Sequence, residues 1–205
     1  MRGKVRCCRP NNSSTNRSSV ICLVVEDKAA VDDDGDPASE ETEDQPDPVY
    51  TYTAHAGTLS AMKYTPNGAR LFTSSYDGTI RYLDMEAQRF SEAYRYDPSP
   101  NSDDPRELLI GSIDVDPRDA DIVWFSTNDG RVGRCDTRLR SSARTLLYPL
   151  HEKKIGCINL NPEAGRSQYI ATASIDRTLR IWDVRQFSVA VSSKAISEFA
   201  HGRSV

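Results

Sequence analysis

The chain has 205 residues, of which 38% are hydrophobic and 27% are charged, and its formal net charge is −4. This length predicts one or two domains, and the longest apolar run, six residues at Val20–Val25, is too short for a membrane-spanning helix of about 20 residues. No apolar core of signal-peptide length follows the basic first residues, and the five cysteines lack C-x-x-C spacing. We therefore expect an intracellular protein with reduced thiols, no metal and no membrane partner.

The first 48 residues differ in composition from the rest of the chain. Residues 1–19 are rich in Asn, Ser and Arg without hydrophobic periodicity, which predicts disorder. Residues 20–48 predict a remnant strand at Val20–Val25 followed by an acidic loop. Residues 26–48 carry eleven acids and one lysine, a net of −10, so the other residues carry a net of +6. The acidic segment is either a solvated, disordered loop or an acidic docking or phosphorylation segment.

From Val49 onward the chain contains one pattern three times. Short β-branched runs alternate with Asn, Asp, Gly and Pro turn signals, which indicates all-β structure. In each copy a turn aspartate stands seven residues before a second aspartate, in LFTSSYDGTIRYLD, VWFSTNDGRVGRCD and YIATASIDRTLRIWD. The turn aspartates are Asp77, Asp129 and Asp176, at intervals of 52 and 47 residues. Such a period is typical of propeller blades.

These features resemble the WD repeat, most closely in residues 170–183. The resemblance implies an all-β fold, a partial WD-repeat propeller with blades at about residues 49–100, 106–148 and 149–200 and a further repeat starting at His201. The tryptophan of the signature stands only at Trp182, with Leu83 and Cys135 in its place elsewhere. Because a propeller closes with about 4–8 blades, we expect this sequence to be part of a longer propeller.

Each copy carries a hydroxyl and an aspartate, and two copies also carry a histidine, His55 and His151, which together allow two interpretations. Histidine, serine and aspartate together are typical of a hydrolase triad. In WD repeats the same types form a buried structural chain, and its repetition favours that reading over a catalytic site. The residues that the resemblance places in this structural tetrad are His55, Ser75, Asp77, Thr127, Asp129, His151, Ser174, Asp176 and Trp182. No phosphate-binding glycine loop, metal-ligand spacing or nucleophile elbow is found, so we expect neither an enzyme nor a cofactor.

Two copies continue with an arginine two places after their final aspartate, in W-D-V-R and C-D-T-R. The pattern resembles the W-D-x-R box of the substrate receptors of cullin-4 ubiquitin ligases, which dock on the adaptor DNA damage-binding protein 1. The resemblance implies an adaptor-binding set of Trp182, Asp183, Arg185, Asp136 and Arg138. The alternative is a pair of surface arginines that bind only their own aspartates.

Longer segments of the chain are SSYDGTIRYLDMEAQRFSEAYR, WFSTNDGRVGRCDTR and LHEKKIGCINLNP followed by ATASIDRTLRIWDVRQ. Together they resemble the family of damaged-DNA-binding WD-repeat proteins that includes WD repeat-containing protein 76 and its fungal relatives, with DNA damage-binding protein 2 as a distant cousin. One departure is VVEDKAAVDDDGD, where the family has a glycine-rich hairpin ending in Trp-Asp. The resemblance places DNA contacts at Lys153 and Lys154, whose alternative is to be solvated loop lysines. It implies a non-catalytic nuclear protein that binds DNA or chromatin and the cullin-4 adaptor, without a small-molecule substrate. The competing hypothesis is a protein-binding scaffold without nucleic acid.

Overall fold

The structure is a computed structural model that describes residues 4–8, 19–24, 49–96, 108–139, 145–163, 165, 168–189 and 193–201. The acidic segment 26–48 and the residues after His201 lie outside these ranges. The chain divides into two compact units, Met1–Ala56 and Gly57–Val205. Among the described residues, no helix has both the length and the apolar character needed to cross a membrane.

The first unit contains a three-stranded antiparallel sheet in the order β1-β2-β3. Its strands are β1 (Lys4–Cys8), β2 (Ser19–Val24) and β3 (Val49–His55). Strand β1 lies where we predicted disorder, because Lys4–Cys8 pairs along the whole of β2 and so satisfies backbone groups of both strands. Strand β3, which we placed in the first blade, pairs with β2 instead.

The described part of the second unit forms three antiparallel sheets of four strands each, which confirms the all-β prediction. The first sheet contains β4 (Leu59–Tyr64), β5 (Arg70–Ser75), β6 (Thr79–Asp84) and β7 (Arg89–Arg95). The second contains β8 (Ile110–Val115), β9 (Ile122–Thr127), β10 (Arg131–Asp136) and β11 (Thr145–Pro149). The third contains β12 (Ile155–Leu160), β13 (Tyr169–Ser174), β14 (Thr178–Asp183) and β15 (Ser197–Ala200). A single turn of 3-10 helix follows β14 at Val184–Gln186.

The turn between the second and third strands of each sheet has one left-handed residue. It is Gly78 in the first sheet and Gly130 in the second, with φ of 75° and 86°, and Arg177 in the third, with φ of 71°. A type I turn followed by a left-handed residue is a common three-residue hairpin connection, and glycine adopts it without steric cost. The third turn keeps the same geometry with an arginine, which is strained there.

The second sheet lies between the other two, and its strand β9 shows this most clearly. All six residues of Ile122–Thr127 are buried, because alternate side chains enter different cores. Val123 and Phe125 pack in the core shared with the first sheet, and Ile122 and Trp124 in the core shared with the third. A strand that is covered on both faces requires a continuous apolar run, and residues 122–125 (IVWF) form such a run.

The first strands of the three sheets lie side by side, and Asp114 on β8 joins all of them. Its carboxylate accepts the backbone N–H of Leu160 on β12 at 2.8 Å and pairs with the Lys63 ammonium on β4 at 3.1 Å. Asp114 is buried, so these two partners replace the water that the carboxylate loses on folding. The bonds fix the three sheets next to one another and so position the loops at both of their ends.

Candidate nucleic-acid and docking interface

The predicted lysines and the predicted arginines lie at opposite ends of the third sheet. Lys153 and Lys154 directly precede β12, whereas Arg185 lies two residues after the end of β14. Strand β13 is antiparallel to both β12 and β14, so β12 and β14 run in the same direction. The start of one and the finish of the other are therefore at different ends. We call these the turn end, where the aspartate turns lie, and the rim end.

At the turn end, a chain of buried polar side chains holds the loop before β12. Trp182 Nε1 donates to Thr172 Oγ1 at 2.8 Å, and Thr172 Oγ1 lies 2.8 Å from His151 Nε2. His151 Nδ1 lies 2.8 Å from Asp176 Oδ2. A neutral imidazole with its proton on Nδ1 satisfies every one of these contacts. The hydroxyl and the indole are about 1% exposed, so this constellation cannot meet a substrate and serves the structure.

The pKa shifts of His151 and Asp176 agree with a neutral imidazole that donates to an ionised carboxylate. Burial lowers the pKa of His151 below its ordinary value and outweighs the opposing effect of Asp176, which keeps the imidazole neutral. Burial alone would raise the pKa of Asp176, but hydrogen bonds from Thr178 and His151 lower it to about 2. Asp176 is therefore an ionised acceptor at neutral pH.

The hydroxyl in this chain is Thr172, not the predicted Ser174. Ser174 Oγ accepts the backbone N–H of Asp176 at 3.2 Å and lies 2.9 Å from the Lys154 carbonyl oxygen, to which it donates. The strand register explains the choice, because Trp182 lies opposite Ile170 and is diagonal to Thr172. Ser174 is two residues further along the strand, beyond the reach of the indole. Counting the register outward from the turn would have identified Thr172.

In the other two sheets the predicted hydroxyls also belong to the turns. Ser75 Oγ accepts the backbone N–H of Asp77 at 3.1 Å, and Thr127 Oγ1 donates to Asp129 at 2.5 Å. His55 is buried at the end of β3 in the first unit, and its place in a tetrad stays a prediction. In the second sheet the positions that match Thr172 and Trp182 hold the fully buried Phe125 and Cys135, so apolar packing replaces the polar chain.

The loop that carries the two lysines is held from both sides. The carbonyl oxygen of Gly130, in the turn of the second sheet, accepts the backbone N–H groups of Leu150 and His151 at 3.2 and 3.0 Å. The Lys154 carbonyl oxygen accepts the backbone N–H of Ile175 at 3.0 Å. Among the residues that the structure describes, no carboxylate forms an ion pair with Lys153 or Lys154. The described carboxylates thus leave both ammonium groups without an ion-pair partner.

At the rim end, each predicted arginine folds back onto the aspartate two residues before it. Arg138 donates from Nε and Nη2 to Asp136 at 2.9 and 2.7 Å, and Arg185 Nε donates to Asp183 at 2.8 Å, with its Nη2 on the second oxygen. The guanidinium groups lower the pKa of both carboxyl groups. The arginine side chains remain 53% and 67% exposed. Arg138 Nη2 also lies 3.0 Å from Asp119 Oδ2, so this guanidinium binds two aspartates. Both interpretations of these arginines are compatible with this geometry, because a guanidinium has five N–H donors and the aspartates take only part of them.

The sequence reasoning missed a third arginine of this kind, Arg118. Its backbone N–H donates to Asp116 Oδ1 at 2.9 Å, and its Nε and Nη2 lie 3.3 Å from the same carboxylate. It follows β8, which is parallel to β10, so it lies at the same end of the second sheet as Arg138. The Asp-x-Arg spacing in D-P-R was the available signal. In the first sheet, the position two residues after Asp84, which matches Arg138 and Arg185, holds Glu86 instead of an arginine.

The segment after Asp183 is anchored by Phe187. Its ring lies 4.9 Å from that of Tyr148, 6.0 Å from that of Trp124 and 6.2 Å from that of Trp182, centroid to centroid. The first two rings belong to the second sheet and the third to the third sheet, so Phe187 packs on both. This packing fixes the 3-10 turn that contains Arg185.

The family model of the WD domain, G-beta repeat, matches residues 46–84 and 143–183. The chain belongs to the WD-repeat family. Each matched segment covers four strands, β3–β6 and β11–β14, of which the first pairs in a different sheet from the other three. A WD repeat is therefore offset by one strand from a sheet, which is why our first blade began at the wrong strand.

The chain is similar to proteins named DNA damage-binding protein CMR1. It is 42% identical over 158 residues to that of Coccidioides immitis, which covers 73% of this chain and 29% of the relative. It is 38% identical over 144 residues to that of Emericella nidulans, which covers 69% of this chain and 26% of the relative. It is 35% identical over 170 residues to that of Phaeosphaeria nodorum, which covers 82% of this chain and 30% of the relative. The chain thus spans less than a third of the length of these relatives. The similarity supports a DNA-damage-related WD-repeat protein.

Proposed function

We propose that the chain is the part of a non-catalytic nuclear protein that binds DNA at its turn end and docks on a cullin-4 ubiquitin-ligase adaptor at its rim end. The observation that supports this proposal is that the two lysines, which pair with no described carboxylate, and the aspartate-clamped arginines lie at opposite ends of the sheets. The names of the relatives support the DNA part. The adaptor, DNA damage-binding protein 1, follows from the resemblance of W-D-V-R to the docking box.

DNA would be bound through its phosphates. Lys153 and Lys154 lie on a loop whose backbone is held by Gly130 and Ser174, so their ammonium groups start from a fixed position. Contacts of this kind orient a duplex without reading its sequence. Each neutralised phosphate releases counterions, so the affinity falls steeply with salt.

The adaptor would be bound by the clamped arginines. Because Asp136 and Asp183 occupy one edge of each guanidinium, the side chains lose less rotamer freedom on docking than free arginines would. Their remaining N–H groups can form paired hydrogen bonds with carboxylate or carbonyl groups of a partner. Arg118 extends the same surface on the second sheet.

The test compares two double variants on two ligands. In Lys153→Ala/Lys154→Ala we expect the slope of log affinity against log salt for duplex DNA to become about 2 units shallower, with adaptor binding unchanged. In Arg138→Ala/Arg185→Ala we expect adaptor capture to be lost and DNA binding to be kept.

Matched controls come from the same molecule. Lys194 is an exposed lysine before β15, at the rim end, and Arg95 is an exposed arginine at the turn end that pairs with Glu92. Their alanine variants should leave both ligands bound. Undiminished adaptor recovery by the double arginine variant contradicts the docking proposal, and a flat salt response of the unchanged protein contradicts the DNA proposal. Adaptor binding without DNA binding would instead favour a receptor for protein substrates.

A further inference from the structure

An exposed tyrosine at the turn end lies against one of the two lysines. Tyr76 occupies the turn between β5 and β6, and 39% of it is exposed. The Lys154 ammonium, which comes from the third sheet, lies 5.2 Å from the centroid of the Tyr76 ring. The contact therefore joins the outer two sheets across the middle one.

Gly111, near the start of β8 in the middle sheet, lies beside the Lys154 side chain. A Cβ atom at Gly111 would lie 4.0 Å from Lys154 Cε and 3.0 Å from the Ile155 carbonyl oxygen. The lysine side chain thus passes over a position without a side chain, and the backbone there approaches β12 closely. Because the Lys154 carbonyl oxygen is held by Ser174 and Ile175, the ammonium is directed toward Tyr76 from a fixed backbone.

The three turn aspartates of this end are occupied elsewhere. The turn aspartates accept hydrogen bonds within their own sheets, Asp77 from Thr79, Asp129 from Thr127 and Arg131, and Asp176 from Thr178, with His151 also bonded to Asp176. None of them forms an ion pair with Lys154. Within the described part of the chain, no carboxylate neutralises the ammonium beside the ring, so it can bind an anion from outside the protein.

An exposed aromatic ring next to an available ammonium matches the chemistry of an unpaired nucleotide. Bases stack on aromatic side chains regardless of sequence, and lysine binds the adjoining phosphate. A fully paired duplex offers phosphates but no free base face. We propose that Tyr76 and Lys154 form a subsite for an unpaired base and its flanking phosphate, an inference that rests on the proposed DNA-binding function and names its preferred substrate.

The test uses fluorescence anisotropy with three labelled probes: a duplex, the same duplex with a central mismatch bubble, and the single strand. Tyr76→Ala should weaken binding of the bubble and the single strand about tenfold and leave the duplex within about twofold. Tyr76→Phe keeps the ring and should bind all three as the unchanged protein does. Lys154→Ala should weaken all three probes, because phosphates are common to them.

The matched control is Ile175→Ala. Ile175 occupies the equivalent turn position in the third sheet and is 62% exposed, but it has no ring to stack. The backbone N–H that holds the Lys154 carbonyl oxygen is kept in Ile175→Ala, so this variant should leave all three affinities unchanged. A Tyr76→Ala variant that keeps full bubble affinity, or that weakens duplex and bubble equally, overturns the subsite while salt-dependent duplex binding still supports the proposed function. If no probe binds the unchanged protein, the proposed function fails together with the subsite.

Discussion

Thr172 and Ser174 show how one hydroxyl can serve the core and a neighbouring one a loop. Both lie on β13 with an even spacing, so alternation alone places them on the same face. Thr172 is buried between the His151 imidazole and the Trp182 indole, whereas Ser174 reaches the carbonyl groups of the lysine loop. The first therefore contributes to the stability of the third sheet and the second to the position of Lys154.

Removing each hydroxyl should separate these roles. Thr172→Ala leaves His151 Nε2 and Trp182 Nε1 without partners in a buried site, so we expect the free energy of unfolding to fall by about 3 kcal/mol. Ser174→Ala should lower it by about 1 kcal/mol, because its partners lie nearer to solvent. Urea unfolding measures both, with Thr172→Ser as the control that keeps the hydroxyl. A larger loss for Ser174→Ala than for Thr172→Ala would show that the tetrad is assigned to the wrong hydroxyl.

The pair of His151 and Asp176 predicts two losses of stability on acidification. Because the folded protein lowers the pKa of His151, the unfolded chain binds a proton first, and the free energy of unfolding falls as the pH drops through about 6.5. The pKa of Asp176 is about 2 in the folded protein, so a second loss follows as the pH falls from the ordinary aspartate value of 3.8 toward about 2. Stability from both groups is fully present near pH 7.

Urea midpoints measured between about pH 7.5 and pH 5 test the first loss. His151→Asn keeps a donor for Asp176 but does not titrate, so its profile should be flatter in this interval. An unchanged slope in the variant would assign the pH dependence to other groups.

At the level of secondary-structure elements, the sequence predicts the hairpins but not which strands pair to form each sheet. The turn aspartates and their spacing predict each hairpin between the second and third strands, which the structure contains at all three positions. The strand Val49–His55 was assigned to the wrong sheet because the repeat in the sequence is offset by one strand from the sheet. Only strand pairing over a long sequence distance settles that assignment, and local pattern carries no signal for it.

The 3-10 turn after β14 depends on a side chain that carries no docking function itself. Phe187 packs against Trp124, Tyr148 and Trp182, so Phe187→Ala should lower the free energy of unfolding by about 2 kcal/mol. Because the turn that holds Arg185 loses its anchor, adaptor affinity should also fall, though less than in Arg185→Ala. Phe187→Leu refills most of the space and serves as the control. Full adaptor affinity in Phe187→Ala would mean that the clamp by Asp183 positions Arg185 without this packing.

At the scale of the whole second unit, the sheets separate two kinds of surface. A six-residue strand is about 20 Å long, so the lysine loop and the arginine clamps of the third sheet are that far apart. The sequence predicted both residue sets, since each adjoins a recognisable motif. The contacts of Lys154 with Tyr76 and of Arg138 with Asp119 could not be predicted, because they arise only when distant strands or loops are brought together.

The most direct measurement of this two-ended arrangement is a titration of adaptor into the protein already bound to labelled duplex DNA. We expect anisotropy to rise further as a three-component complex forms, with the DNA affinity unchanged, because the two ligands occupy ends about 20 Å apart. Displacement of the DNA by the adaptor, with anisotropy returning to that of free DNA, would contradict the arrangement.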